Sequence, residues 1–458
     1  MNPTLTARLC VMMFFQFFMW GSWYVLAYVY LGQIGFGPSE IAITYSVGPI
    51  AGMLSPFFVG MIADRFFSTE RIMGVLHLAG AAIMFGAVTL MKADVPSPGL
   101  INLVFLGYML TYYPTLSLTN TLALHNMDDA EKQFPVIRVF GTIGWIAAGL
   151  LISLCSWNGT IEMFYVATAA AAVMGIYSFS LPHTPPPAAG EKITAREVLG
   201  LDALILLKRP AYLAFMVSSF LICIPLAFYY QLAGAYVSQS GFEETSGATM
   251  SYGQMSEVFF MLVMPFFFAR LGVKWMLFVG MLAWVVRYAL FAFGAPDEVA
   301  WMIIGGIVLH GICYDFFFVT GQIYTDKVAT KAIRGQAQGM LVFFTLGLGM
   351  LIGAQVAGVV EAQNTPENAE ELSTQAEELT QTIDSLAEEY EVQRGSEATD
   401  TKEEIDDLTA RRDDLLERAA LDWKSIWMFP AIFAAVIMLL FVFVFHEKKE
   451  IVQGAEVV

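Results

Sequence analysis

The chain has 458 residues, 57% of them hydrophobic and only 14% charged, with a mean hydropathy of +0.62. Soluble domains carry about 25% charged residues, so the composition excludes an ordinary soluble globule and points to an all-α polytopic membrane protein. The net charge of −17 is unevenly placed: residues 361–422 hold 20 acidic and 5 basic residues, net −15, and the remainder holds 21 and 19, net −2. The acidity therefore belongs to one segment and says nothing about what the apolar body binds. Cys10, Cys155, Cys223 and Cys313 are widely spaced within apolar runs, forming neither a disulfide framework nor a metal-ligand spacing. With no phosphate loop and no nucleophile–base arrangement either, an enzyme, a cofactor and a nucleic-acid partner are not expected.

Apolar runs long enough to cross a bilayer recur at about 9–30, 40–63, 72–92, 99–122, 137–156 and 161–181. After a linker they resume at about 210–237, 247–270, 274–294, 299–325, 333–360 and 424–446, which makes twelve. The first run is too long for a signal-peptide core and lacks a small-residue cleavage site, so it is expected to stay as a span. With the N-terminus inside, sixteen Lys and Arg fall in cytoplasmic segments against Lys92 alone in the short outer loops. That asymmetry places both termini in the cytoplasm, in what is expected to be a bacterial inner membrane.

Span 1 aligns Gln16, Trp20, Trp23 and Ala27, with Tyr24 nearby. Such a stripe reads either as packing or as a platform for a flat ligand. Between spans 2 and 3 lies Gly60-Met-Ile-Ala-Asp64-Arg65, and at the equivalent place between spans 8 and 9 lies Ala269-Arg270-Leu-Gly272-Val-Lys274. Gly lets helix ends approach, while Asp64, Arg65 and Arg270 can pair and cap neighbouring termini, a latch suited to gating. Span 4 aligns Tyr113, Ser117 and Asn120. Arg138 follows Pro135 near the inner end of span 5, with Thr142 and Trp145 on its face, and reads either as a plain positive-inside arginine or as a cavity-facing cation.

A Pro-rich linker, 182–209, ending Leu-Leu-Lys-Arg-Pro, divides residues 1–181, six spans, from 210–360 and 423–458, six more. On span 8, Gln254 and Glu257 stand at i, i+3. Their several hydrogen-bonding atoms suit vicinal hydroxyls or a base edge; the alternative is an internal pair between Glu257 and Arg287. On span 10, at ~100° per residue, His310, Gly311, Tyr314, Asp315, Phe318, Gly321 and Gln322 share one arc. A carboxylate near the bilayer centre costs about 2.5–3.5 kcal/mol on insertion scales. Asp315 therefore reads as a proton-exchanging or ligand-binding group, or else as a carboxylate neutralised by protonation or by a structural arginine.

Within 361–422, Leu372, Ala376, Leu379, Ile383, Leu386 and Tyr390 step by 4,3,4,3,4, and Ile405, Leu408, Arg412, Leu415 and Ala419 by 3,4,3,4. A Gly-Ser turn lies between, so an antiparallel coiled-coil-like hairpin is expected on the outer face. It serves either as a solvated spacer or as an arm for an unknown partner or self-association.

The six-plus-six layout, Gly-x-x-Ala-Asp-Arg and the basic central linker resemble the major facilitator superfamily. FFQFFMWGSW, LTNTLALHN, FPVIRVFGTIGW, YGQMSEVFF, AWVVRYALFAFG, HGICYDFF and AIRGQAQGM resemble, more narrowly, its bacterial nucleoside:proton symporters, over essentially the whole chain except 361–422. The resemblance implies import of a nucleoside with a proton, the proton being the coupling ion, by rocking of two halves about a midplane site. It favours a cavity-facing Arg138. It also places amides on span 7 where Ala227 and Tyr230 stand here, leaving Gln231 as the nearest. On this reading Asp315 couples the proton, with Glu257 second, and Gln254, Glu257, His310, Tyr314, Arg138, Tyr113, Asn120, Gln16, Trp20 and Gln231 are the candidate substrate contacts. The rivals are the same machine with another polar cargo such as a sugar, and a transporter-like receptor or scaffold presenting the hairpin.

Overall fold

The computed structural model describes residues 2–58, 66–186, 200–331, 333–392 and 396–446, and all its regular structure is helical. Span 1 is α1 (Pro3–Gly21) and α2 (Ala27–Gln33), separated by turns. Spans 2 to 6 are α3 (Pro38–Phe58), α4 (Thr69–Met91), α5 (Pro98–His125), α6 (Ala130–Leu154) and α7 (Glu162–Ser178). A 3₁₀ helix, Leu201–Lys208, closes the linker and leads into α8 (Pro210–Val237), which is span 7.

Spans 8 and 9 form one bent element, α9 (Ser246–Gly294), whose reversal needs Gly272 at φ 65°, a region that favours glycine. Span 10 is divided into α10 (Ala300–Val308), α11 (His310–Tyr314), a π turn at Asp315–Val319 and α12 (Thr320–Val328). Span 11 is α13 (Arg334–Val342), a π segment at Phe343–Gly349 and α14 (Met350–Gln363). The hairpin is α15 (Ala369–Val392) and α16 (Ser396–Ala419), and span 12 is α17 (Trp423–Val444). Seven described stretches are long and apolar enough to cross a membrane by length and composition, one of them, Pro210–Gly294, carrying spans 7 to 9.

Local chemistry sets the ends. Asn2 Oδ1 accepts from Thr4 N at 3.0 Å, with Pro3 at the first helical position; Asp422 Oδ1 accepts from Ser425 N at 3.0 Å. Both satisfy donors that a helix start leaves open. One apolar core, including Met12, Trp23, Phe105 and Met174, belongs almost wholly to α1–α7. A second, including Tyr236, Trp284, Phe291 and Trp427, belongs to the helices after the linker.

The two halves touch firmly at one end. Since α1 begins at the N-terminus, this is the end away from the termini. There Tyr28 Oη donates to Glu361 Oε1 at 2.6 Å, and Gln355 Nε2 donates to Ser46 Oγ at 2.8 Å. Asn158 Nδ2 donates to Glu244 O at 2.6 Å, while Gly247 N and Ala248 N donate to Asn158 Oδ1 and Ser153 Oγ. Gly149 sits in this seam, and a Cβ on it would lie 2.6 Å from Gly247 O.

The structure departs from the sequence reading in three places. The span 1 stripe does not continue past Gly21, because the helix breaks there; Trp23 is buried against Phe105 at 5.3 Å and Phe164 at 5.6 Å. Span 11 does not end at residue 360, since α14 runs to Gln363 and buries Glu361. The hairpin buries Leu372, Ala376 and Ile383 but leaves Tyr390 39% exposed, so its seam weakens towards the tip. Asp64 and Arg65, expected in the latch, lie outside the described residues.

Candidate functional site: a cavity between the halves

A cavity of about 600 Å³ lies between the halves, roofed by the contacts at the closed end. That volume is within the range for small-molecule sites, about 300–1,000 Å³. Phe17, Trp20, Tyr24, Tyr113 and Trp145 line it from the first half, and Tyr230, Gln254, Glu257, His310 and Tyr314 from the second. The walls differ in chemistry. Trp20 centres an aromatic cluster, 5.3 Å from Tyr24, 5.4 Å from Trp145 and 5.9 Å from Tyr113. The opposite wall offers an amide, a carboxylate, an imidazole and two phenols. Arg138 and Thr142 line the cavity from α6, where Arg138 lies over the Phe17 ring, 4.2 Å from its centroid.

The polar wall is held from behind by Arg287, which is fully buried on α9. Its guanidinium stacks 3.4 Å from the centroid of the Tyr229 ring, and both terminal nitrogens are 3.4 Å from His310 Nδ1. A guanidinium only donates, so Nδ1 accepts and Nε2 of a neutral imidazole carries the hydrogen. Nε2 lies 3.7 Å from Glu257 Oε2. Glycines permit this fit: a Cβ on Gly253 would press on His310 at 3.1 Å, and one on Gly311 would collide with Ser256. The direct pair between Glu257 and Arg287, one alternative for Glu257, is absent; His310 stands between them.

Of the other expected site residues, Ser117 lines the cavity, but Asn120 is not among the lining residues. Gln16 is fully buried, its amide donating to Thr115 Oγ1 at 2.8 Å and its carbonyl oxygen 3.1 Å from His77 Nε2, so its polar atoms are engaged in the first half's interior. Gln231 is fully buried nearer the closed end, with neither polar atom in a well-formed hydrogen bond. Arg270 is exposed and lies over its own neighbour Phe266, 3.6 Å from the ring centroid. Asp315 is completely buried, outside the cavity lining, with neither carboxylate oxygen hydrogen-bonded. Asp315 follows Tyr314 by one residue, about 100° further round the helix, so Tyr314 faces the cavity and its neighbour does not.

Sequence reasoning missed the walls supplied by α3 and span 11: Pro49, Gly52, Met53, Ser55, Phe343, Leu346 and Met350. These are apolar or small, and nothing in residue type separates them from packing. Gly52, Gly347 and Gly349 were the available sign of close approach.

The comparisons agree with this architecture. The family described as "Nucleoside H+ symporter" matches residues 3–377. The "Putative nucleoside transporter YegT" of Escherichia coli is 41% identical over 364 residues, covering 78% of this chain and 84% of that protein. The nucleoside permease NupG of Escherichia coli is 30% identical over 372 residues, covering 78% and 88%. The crystal structure of the nucleoside transporter NupG superposes with a TM-score of 0.77 at 27% identity, covering 98% of this chain and all of that one. The chain is a multi-pass membrane transporter and belongs to the nucleoside H+ symporter family.

Proposed function

We propose that this chain imports a nucleoside together with a proton by alternating access, with both termini in the cytoplasm. The observation that carries the reading is the asymmetry of the cavity. A nucleoside has a flat base and a hydroxylated sugar, and the cavity pairs an aromatic wall with a wall of convergent hydrogen-bonding groups. The base would stack among Trp20, Trp145 and Tyr113. Gln254 and Glu257 would take the sugar hydroxyls or a base edge, Glu257 being steadied by His310 and, through it, by Arg287. Arg138 reaches the same cavity and would attract a carboxylate or an electron-rich ring edge.

Asp315 is the proposed coupling carboxylate. A buried carboxylate without a cation or a donor is held most cheaply as the neutral acid, and it can release its proton only when water reaches it. Asp315 immediately follows Tyr314, which lines the cavity, so a proton on Asp315 would sit one residue from the wall that meets the cargo. Because the halves are clasped at the end away from the termini, the conformation described is open towards the cytoplasm on this orientation, the state that releases cargo.

The test is uptake into proteoliposomes of labelled nucleosides and sugars, with and without an imposed pH gradient. Nucleoside accumulation that needs the gradient is expected. Gradient-driven uptake of a sugar with no nucleoside uptake would replace the cargo while leaving the machine, and no uptake of either would favour a scaffold.

A further inference from the structure

Glu361 is a carboxylate that neither the cavity nor Asp315 explains. It continues the small-residue face of α14: Ala354, Ala357, Gly358 and Glu361 follow at spacings of three, one and three, and all four are buried. That face packs on the first half at the closed end, where a Cβ on Gly358 would touch Ala42 at 2.7 Å. Glu361 is 2% exposed. Its Oε1 accepts the Tyr28 hydroxyl at 2.6 Å across the seam, and its Oε2 is buried with no partner.

Among the described residues, no cation pairs with this carboxylate. From α2 comes Tyr28, and from α3 Tyr45, whose hydroxyl is already given to Tyr24 O at 2.9 Å. From α8 comes Gln231, turned towards the same carboxylate but with both its polar atoms short of a well-formed bond. Just before α17 comes an acid, Asp422, whose amide donates to Asn364 O at 3.1 Å, and Lys424 in the first turn of α17 is exposed. Among the described residues, no Lys, Arg or His forms an ion pair with Glu361.

An ionised carboxylate in this setting is expensive. A neutral acid is not, since it adds one O–H donor beside an amide whose acceptor is unfilled, which would satisfy Oε2 and Gln231 Oε1 together. Opening the closed end must separate Tyr28 from Glu361, because they belong to different halves, and water then reaches the carboxylate.

We propose that Glu361 is a second proton-binding site, one that takes a proton from water as this end closes and returns it as this end opens. The closed state then binds the proton more tightly than the open state. Closure is therefore favoured at low pH and lost as pH rises. The proposal is independent of the cargo and of the role given to Asp315.

The experiment reads conformation, not transport. Spin labels go on Asp94→Cys and Asp297→Cys, in exposed loops of the two halves at this end, in a Cys155→Ser background; the other three native cysteines are buried. Distances are measured in the full chain in lipid nanodiscs, without nucleoside, across about pH 5 to 9, the range in which carboxyls displaced by burial titrate. In the parent, the closed-to-open ratio should fall with rising pH, at a steepest slope approaching about tenfold per pH unit, the limit for one linked proton. In an Asp315→Asn background, where the coupling carboxylate no longer titrates, a pH-dependent slope should remain, and Glu361→Gln or the similarly sized Glu361→Met added to that background should flatten it. A parent without pH dependence, no slope in the Asp315→Asn background, or a slope there that survives in either folded Glu361 variant would each overturn the proposal. None of these readings depends on whether the cargo is a nucleoside.

Discussion

Arg287 and His310 meet with both guanidinium terminal nitrogens 3.4 Å from one imidazole nitrogen, while the other imidazole nitrogen faces Glu257 at 3.7 Å. A buried cation is thus spent on orienting a ring, and the ring presents a hydrogen to the cavity's carboxylate. The guanidinium also needs its planar face, which stacks on Tyr229.

Lysine cannot replace that arrangement, because it brings a point charge without the fork or the stack. Arg287→Lys should lower thermal stability in detergent by about 1 to 2 kcal/mol, the scale of a desolvated cation–π contact. An unchanged melting midpoint would show that the stack contributes little.

Gln254→Ala removes a polar contact from the wall proposed to hold the sugar. Nucleoside affinity by calorimetry should weaken by about 1 to 3 kcal/mol, the cost of leaving a buried partner unsatisfied. Trp145→Ala, on the opposite wall, should cost a comparable amount if the base stacks there. Unchanged affinity in Gln254→Ala would move the sugar site elsewhere in the cavity.

Much of this wall was legible from helical periodicity. Gln254 and Glu257, and His310 and Tyr314, fall on shared faces and line one cavity. Asp315 stands at the edge of the wheel's arc, about 100° round from Tyr314, and a straight-helix wheel fails there because it does not tell an edge residue that lines the cavity from one buried beside it. It fails at Gln16 for another reason: the partner of its amide oxygen is His77 on a distant span, and a polar residue buried by a long-range bond looks the same in sequence as one facing a ligand. Glu361 was readable in principle, since it extends the Ala354–Ala357–Gly358 face by one turn. Its position at the start of a highly acidic stretch hid it among solvated carboxylates.

The seam at the closed end depends on a side chain that is missing. Gly149 lies so close to Gly247 that a Cβ would fall 2.6 Å from its carbonyl oxygen, and backbone cannot yield as a flexible side chain does. Gly149→Val should therefore populate conformations open at this end, raising the labelling of a cysteine placed at Ser46 by a membrane-impermeant maleimide. Labelling equal to that of the parent would mean that the halves separate about another line.

The hairpin packs mainly on itself and stands apart from both cores. Replacing residues 366–419 with a short Gly/Ser linker retains Glu361 and the Asn364–Asp422 contact. Uptake should stay within about twofold of the parent, a difference worth only ~0.4 kcal/mol. Loss of uptake in a variant that inserts and melts normally would assign the hairpin a part in transport.

The most direct test of proton-coupled nucleoside import compares the parent with Asp315→Asn in parallel liposomes, reading both accumulation and exchange. Asparagine keeps the shape of the neutral acid but cannot release a proton. Asp315→Asn should therefore bind nucleoside and exchange it across the membrane, yet fail to concentrate it when a pH gradient is imposed, whereas the parent concentrates it. Gradient-driven accumulation that persists in Asp315→Asn would contradict the assignment and pass the coupling role to Glu257.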